Sequence, residues 1–130
     1  MQVKTIVFDW GDTLMKVFPQ YSGVMADWPE VGAVENAREA LAALHGKYRL
    51  VVGSNAANSD AGQIMDALHR VGLAEFIDQV FTFSEIGYRK PDENFYWQIE
   101  RLLGEERHHL VMVGDEYRAD VLGAVRAGWR

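Results

Sequence analysis

Four short and mostly apolar runs, Val3 to Phe8, Arg49 to Gly53, Gln79 to Phe83 and His109 to Val113, alternate along the chain with stretches of helical periodicity. Strands separated by helices become parallel strands joined by crossovers, so this alternation predicts an α/β domain around a parallel sheet. Hydrophobic spacing places the helices. Val34, Ala37, Leu41 and Leu44 mark the first. A second opens at Ser59-Asp60, where Asp60 and Gln63 suit a capping box, buries Ile64, Leu68 and Val71, and stops at Gly72. A third runs from Pro91-Asp92 through Phe95, Ile99 and Leu102-Leu103 to Gly104, and a fourth covers Ala119 to Ala127 before Gly128.

With 130 residues, 48% of them hydrophobic and 25% charged, the chain is expected to fold as one domain, 1–130, with its own core. It has no cysteine, which removes disulfides, thiol catalysis and thiolate-bound metals. A net charge of −6 without any basic stripe argues against nucleic acid as a partner. The first apolar run stops at Asp9, too short for a membrane span or a signal peptide, so the expected setting is the cytoplasm, with no membrane partner.

The chemistry sits where the strands end. Asp9 closes the first run, Ser54-Asn55 the second, Lys90-Pro91 follows the third after a short loop, and Gly114-Asp115 closes the fourth with Asp120 behind it. In an open parallel sheet, ligands bind in the crevice outside the carboxyl ends of the strands. A carboxylate nucleophile, a hydroxyl donor, a fixed cation and a second carboxylate thus converge on one crevice, a combination suited to a phosphoryl group. Asp9 can attack phosphorus to form an aspartyl phosphate, while Ser54, backbone N–H groups and Lys90 bind the equatorial oxygens. Attack by an anion on an anion calls for a cation, and oxygen ligands from Asp9 and Asp115 with a main-chain carbonyl suit Mg²⁺.

Taken in order, Phe8-Asp9-Trp10-Gly11-Asp12-Thr13-Leu14, Gly53-Ser54-Asn55, Arg89-Lys90-Pro91-Asp92 and Val113-Gly114-Asp115 with Asp120 resemble the four motifs of the haloacid dehalogenase superfamily. That resemblance implies a three-layer Rossmann-like fold and, for most members, a magnesium-dependent phosphatase. It implies Asp9 as nucleophile and metal ligand, and Ser54, Asn55 and Lys90 as phosphate-binding residues. The metal set would be Asp9, the Gly11 main chain, Asp115 and Asp120, with Glu116 a weaker candidate.

One position departs from the pattern. Family phosphatases usually carry a second Asp two residues after the nucleophile as general acid and base, and here that place is Gly11. Positioned acid-base catalysis is worth ~10²–10⁴-fold. Asp12, one residue on, is a candidate replacement, although a turn carboxylate bonding local N–H groups is the plainer role. The loss of the acid keeps two alternatives open: a catalytically weak module that binds magnesium and phosphate or a partner protein, and a dehalogenase-type hydrolase that uses Asp9 on carbon. The dehalogenase would have no use for the charges of Asp115 and Asp120.

Between the motifs there is no room for an inserted cap domain, so the site is expected to be open to a phosphorylated small molecule or a larger phosphorylated substrate. The family usually adds another strand after the position of Gly128, so the C-terminal edge strand is expected to be missing, leaving His109 to Val113 as an edge that invites self-association. The four histidines have no partner at ligand spacing and read as surface or packing residues. Trp10 suits either the pocket or the core.

Overall fold

The computed structural model describes residues 2–130. Four strands, β1 (Thr5–Phe8), β2 (Arg49–Gly53), β3 (Gln79–Phe81) and β4 (Leu110–Val113), form one parallel sheet in the order β3-β2-β1-β4. Thr5 pairs with Arg49 on one side and with Leu110 on the other, so the central strand β1 is hydrogen-bonded along both edges. All four residues of β1 are buried. This is the continuous apolar character that a strand covered on both faces needs.

Side-chain alternation along β1 sends Ile6 and Phe8 to one face and Val7 to the other, and each face has its own core. On the first face Leu50, Val52 and Val80 meet α1 (Ala37–Leu44) through Leu41, and α2 (Ala61–Arg70) through Ile64 and Leu68. On the second, Val51, Phe81 and Met112 meet α4 (Glu93–Leu103) through Phe95, Tyr96 and Ile99, together with Ala124 of a short α5 (Gly123–Arg126). Helices on both sides of a parallel sheet complete the three-layer Rossmann-like architecture expected from the sequence. The Asp60–Gln63 capping box also forms, with both reciprocal hydrogen bonds in place.

Two elements differ from expectation. The third strand ends at Phe81 rather than Phe83, because Thr82 and Glu85 form a second capping box and start α3 (Phe83–Ile86). The expected helix over Ala119 to Ala127 is instead a π-helical turn, Tyr117–Leu122, that passes into α5. Its cause lies in the side chains around it. The buried Asp120 turns back to accept the Glu116 N–H at 3.0 Å, and the Tyr96 hydroxyl donates to the Ala119 carbonyl. π-Helical turns are rare and concentrate at functional sites, and this one presents Asp120.

The segment between β1 and α1 folds as a loop with a single 3₁₀ turn, Met25–Asp27, and is pinned to the core by Met25 and Trp28. It is no separate cap domain. At the other margin β4 is an edge strand, with Val113 substantially exposed. Trp129 is buried against the Tyr96 ring, and the Arg130 N–H donates to the Leu110 carbonyl.

Candidate active site

The chain adds β2 and β3 on one side of β1 and then crosses to place β4 on the other side. Loops leaving β1 and β4 therefore diverge, and the crevice between them is the topological switch point at which such sheets bind ligands. Asp9 follows β1 and Asp115 follows β4, and the Asp9 N–H donates to the Val113 carbonyl at 2.8 Å, which locks the two strand ends together. The Thr13 hydroxyl lies 3.3 Å from Asp9 Oδ2 and 3.4 Å from Asp115 Oδ1. It has one proton and bridges two acceptors.

Lys90 reaches the same point from the loop after α3. Its side chain is 2% exposed, and Nζ lies 3.1 Å from Asp9 Oδ1 and 2.7 Å from Asp120 Oδ1. An ammonium buried this deeply needs such partners. Asn55 fixes where it sits: the amide accepts the Lys90 N–H at 2.8 Å through Oδ1 and donates to the Lys90 carbonyl at 2.9 Å through Nδ2. Asn55 was expected to bind substrate, yet both ends of its amide hold the Lys90 main chain. A single N–H is left over for a substrate oxygen.

Asp9, Asp115 and Asp120 offer carboxylate oxygens that all lie within 4.8 Å of one another. Burial pushes the Asp9 carboxyl above its ordinary value; Lys90 opposes that rise, and the facing Asp115 adds to it. One lysine thus leaves the negative charge here incompletely balanced. The unmet demand, together with a donor set made only of oxygens, fits a hard divalent cation such as Mg²⁺. Both oxygens of Asp120 already have partners, Lys90 and the Glu116 N–H. Asp9 and Asp115 are freer to ligate.

The remaining candidates border one cavity of about 300 Å³, lined by Asp9, Gly11, Asp12, Ser54, Asp115 and Glu116 among others. Ser54 is buried and its oxygen accepts the Ala56 N–H at 2.9 Å, so its own proton is free to be donated. Asp12 sits at φ 59° and its Oδ1 accepts the Val17 N–H at 3.1 Å, which is the local turn role. Trp10 satisfies both of its expected roles, since it is buried in the core and lines the cavity. A Cβ at Gly11 would lie 3.0 Å from Val17 Cγ2, so the vacancy left by the missing acid is closed by a side chain on the surface loop.

Residues 17–128 match the profile of the haloacid dehalogenase-like hydrolases. The chain belongs to this family. Glyceraldehyde 3-phosphate phosphatase from Methanothermobacter thermautotrophicus is 36% identical over 81 residues, covering 62% of this chain and 34% of that protein. Pyrimidine 5'-nucleotidase YjjG from Escherichia coli is 32% identical over 62 residues, 47% of this chain and 28% of that protein. The haloacid dehalogenase-like chain thus spans about a third of the length of these curated relatives. Among solved structures, an uncharacterized protein from Listeria monocytogenes serotype 4b superposes with a TM-score of 0.89 at 27% identity, covering 98% of this chain and 76% of the other. The HAD-hydrolase YfnB from Bacillus subtilis, solved bound to magnesium, does so with a TM-score of 0.76 at 14% identity over 99% of this chain and 85% of that one. The profile match begins after Asp9, so the placement of Asp9 in this family member rests on the strand-end geometry.

Sequence reasoning missed one cluster. His109 Nδ1 lies 3.2 Å from Glu105 Oε1 and His108 Nε2 lies 3.2 Å from Glu106 Oε2, so two histidines expected to lack partners have carboxylate neighbours. The Glu105–His109 separation of four residues was the available signal. The pair sits before β4, at the opposite end of that strand from Asp115. No described helix is long and apolar enough to cross a membrane.

Proposed function

We propose that this chain is a phosphatase that hydrolyses phosphoric monoesters through an aspartyl phosphate on Asp9. The observation that carries the reading is the Asp9 carboxylate at the β1/β4 switch point, 3.1 Å from a buried lysine and in one cavity with the Ser54 hydroxyl and Asp115. A carboxylate oxygen of Asp9 attacks phosphorus, the ester P–O bond breaks, and the leaving alkoxide takes a proton from water, since Gly11 supplies none. Water then attacks the same phosphorus, its proton passes to solvent, and inorganic phosphate departs to regenerate Asp9.

The chain's own groups hold the phosphoryl oxygens. The Lys90 ammonium has three N–H donors, of which two are taken by Asp9 and Asp120, leaving one for an equatorial oxygen. Ser54 adds a second donor. Asp9 and Asp115, with the Gly11 carbonyl and with Asp120 behind them, are the residues that would hold Mg²⁺, which when bound supplies charge neutralisation between carboxylate and phosphate. The proposed setting is cytoplasmic, with a phosphorylated small molecule as the substrate.

The phosphatase-named relatives support this reading over the dehalogenase alternative, and the converging carboxylates give magnesium a reason to bind. Gly11 favours the second reading, a magnesium- and phosphate-binding module with little turnover. A panel of phosphate esters with Mg²⁺ decides between them. Turnover by the native chain that is lost in Asp9→Asn supports the phosphatase. Magnesium binding with no ester hydrolysed establishes the binding module.

A further inference from the structure

A second cavity of about 250 Å³ adjoins the first, and Ala56 lines both. Its wall is polar and includes Asn58, Ser59, Asp60, Ser84 and Arg89. Arg89 and Lys90 are consecutive, yet they serve different spaces: Lys90 turns inward to Asp9, while Arg89 lines the second cavity with its guanidinium stacked 4.3 Å from the Phe83 ring centre. Stacking on an aromatic face holds the guanidinium in place and leaves its N–H edge free.

One carboxylate, Asp60, shares that wall. Its Oδ1 accepts the Gln63 N–H at 2.8 Å at the start of α2. Among the described residues Arg89 has no carboxylate partner within 4.0 Å. The catalytic cavity itself offers a second anion no cation among its lining residues. Its other walls carry Asp12 and Glu116, which repel one, and Val17 and Met25, which cannot bind one.

We propose that Arg89 and its cavity form a specificity subsite for a second anionic group, carboxylate or phosphate, on the substrate whose phosphoryl group reacts at Asp9. The substrate class is therefore an acidic phosphate ester, a phosphorylated carboxylic acid or a bisphosphate, rather than a neutral phosphorylated alcohol. This inference rests on the phosphatase reading for its reaction, but the anion subsite can be read by binding alone.

The test compares 3-phosphoglycerate with glycerol 3-phosphate, ligands of similar size that differ in a carboxylate, in the native chain and in Arg89→Gln with Mg²⁺ present. A charge-assisted guanidinium contact predicts that the native chain prefers 3-phosphoglycerate by roughly 10-fold or more in KM, and that Arg89→Gln brings the ratio close to one. Calorimetric dissociation constants for the same pair read the subsite if neither ligand is hydrolysed. In that event absent turnover counts against the phosphatase, while a binding preference that depends on Arg89 still supports the subsite. Equal affinity for the two ligands, or a preference that survives Arg89→Gln, overturns it. Arg89→Lys should restore only part of the preference, because an ammonium keeps the charge without the planar fork.

Discussion

Lys90 Nζ lies 2.7 Å from Asp120 Oδ1, and both side chains are almost wholly buried, at 2% and 1% exposure. Asp9 completes the group at 3.1 Å from the same nitrogen. One cation therefore holds together the strand end of β1 and the π-helical turn after β4, so the proposed phosphate site and the fold share a residue.

Removing that cation leaves the buried Asp120 and the mostly buried Asp9 without their ion-pair partner. Breaking a buried ion pair from one side costs ~3–5 kcal/mol, so Lys90→Met should lower stability by about that amount in urea unfolding as well as abolish turnover. A variant that keeps native stability would show that water reaches Asp120 far more readily than its burial suggests.

Asp9 should behave in the opposite way. Burial raises its carboxyl above the ordinary value, so the charged form costs the folded state free energy. This cost is absent below the unfolded-state value, ~3.9, and grows as pH rises through the folded-state value. In metal-free buffer Asp9→Asn should therefore raise Tm at pH 7, and the gain should shrink towards zero as the pH approaches 4. Added Mg²⁺ should stabilise the native chain more than the variant. An Asp9→Asn protein less stable than the native chain at neutral pH would contradict this sign.

Much of this was legible in the sequence because strand ends in a parallel sheet are read from short apolar runs, and those runs place Asp9, Ser54 and Asp115 directly. Helix α2 was legible for a similarly local reason, the Asp60–Gln63 pair. What escaped was set by tertiary contacts. The π-helical turn depends on Asp120 and Tyr96 meeting groups across the fold, and helical periodicity over Ala119 to Ala127 carries no trace of it. The hold of Asn55 on the Lys90 main chain escaped for the same reason, since the partner of its amide lies 35 residues away. The end of β3 was a different failure, because Thr82 and Glu85 formed a readable capping signal.

Gly114 shows how tightly the loop after β4 is built. A Cβ there would overlap the Asp120 side chain, so any larger residue must displace Asp120 from Lys90 and from the Glu116 N–H. Gly114→Ala should cost ~1–3 kcal/mol as an overpacked site. It should also weaken Mg²⁺ binding, measured by calorimetry, although Ala adds no charge. Native magnesium affinity in this variant would mean that Asp120 has no part in holding the ion or its waters.

Gly11 is where the chain gives up an acid, and the structure indicates how to return one. Its backbone is free of the left-handed strain that would forbid a side chain, and the obstacle is Val17 Cγ2 at 3.0 Å from a built Cβ. Val17 is 43% exposed on a surface loop, so trimming it should cost little. The native chain, lacking the acid, should hydrolyse aryl and acyl phosphates far faster than alkyl phosphates, because only the alkyl leaving group needs a proton. In the double variant Gly11→Asp with Val17→Ala, the restored acid should raise alkyl phosphate turnover by about 10²-fold while changing aryl phosphate turnover much less. The ratio of the two rates is the measurement, since it cancels any general loss of active protein. Equal aryl and alkyl rates in the native chain would mean that another group, with Asp12 the nearest carboxylate in sequence, already supplies the proton.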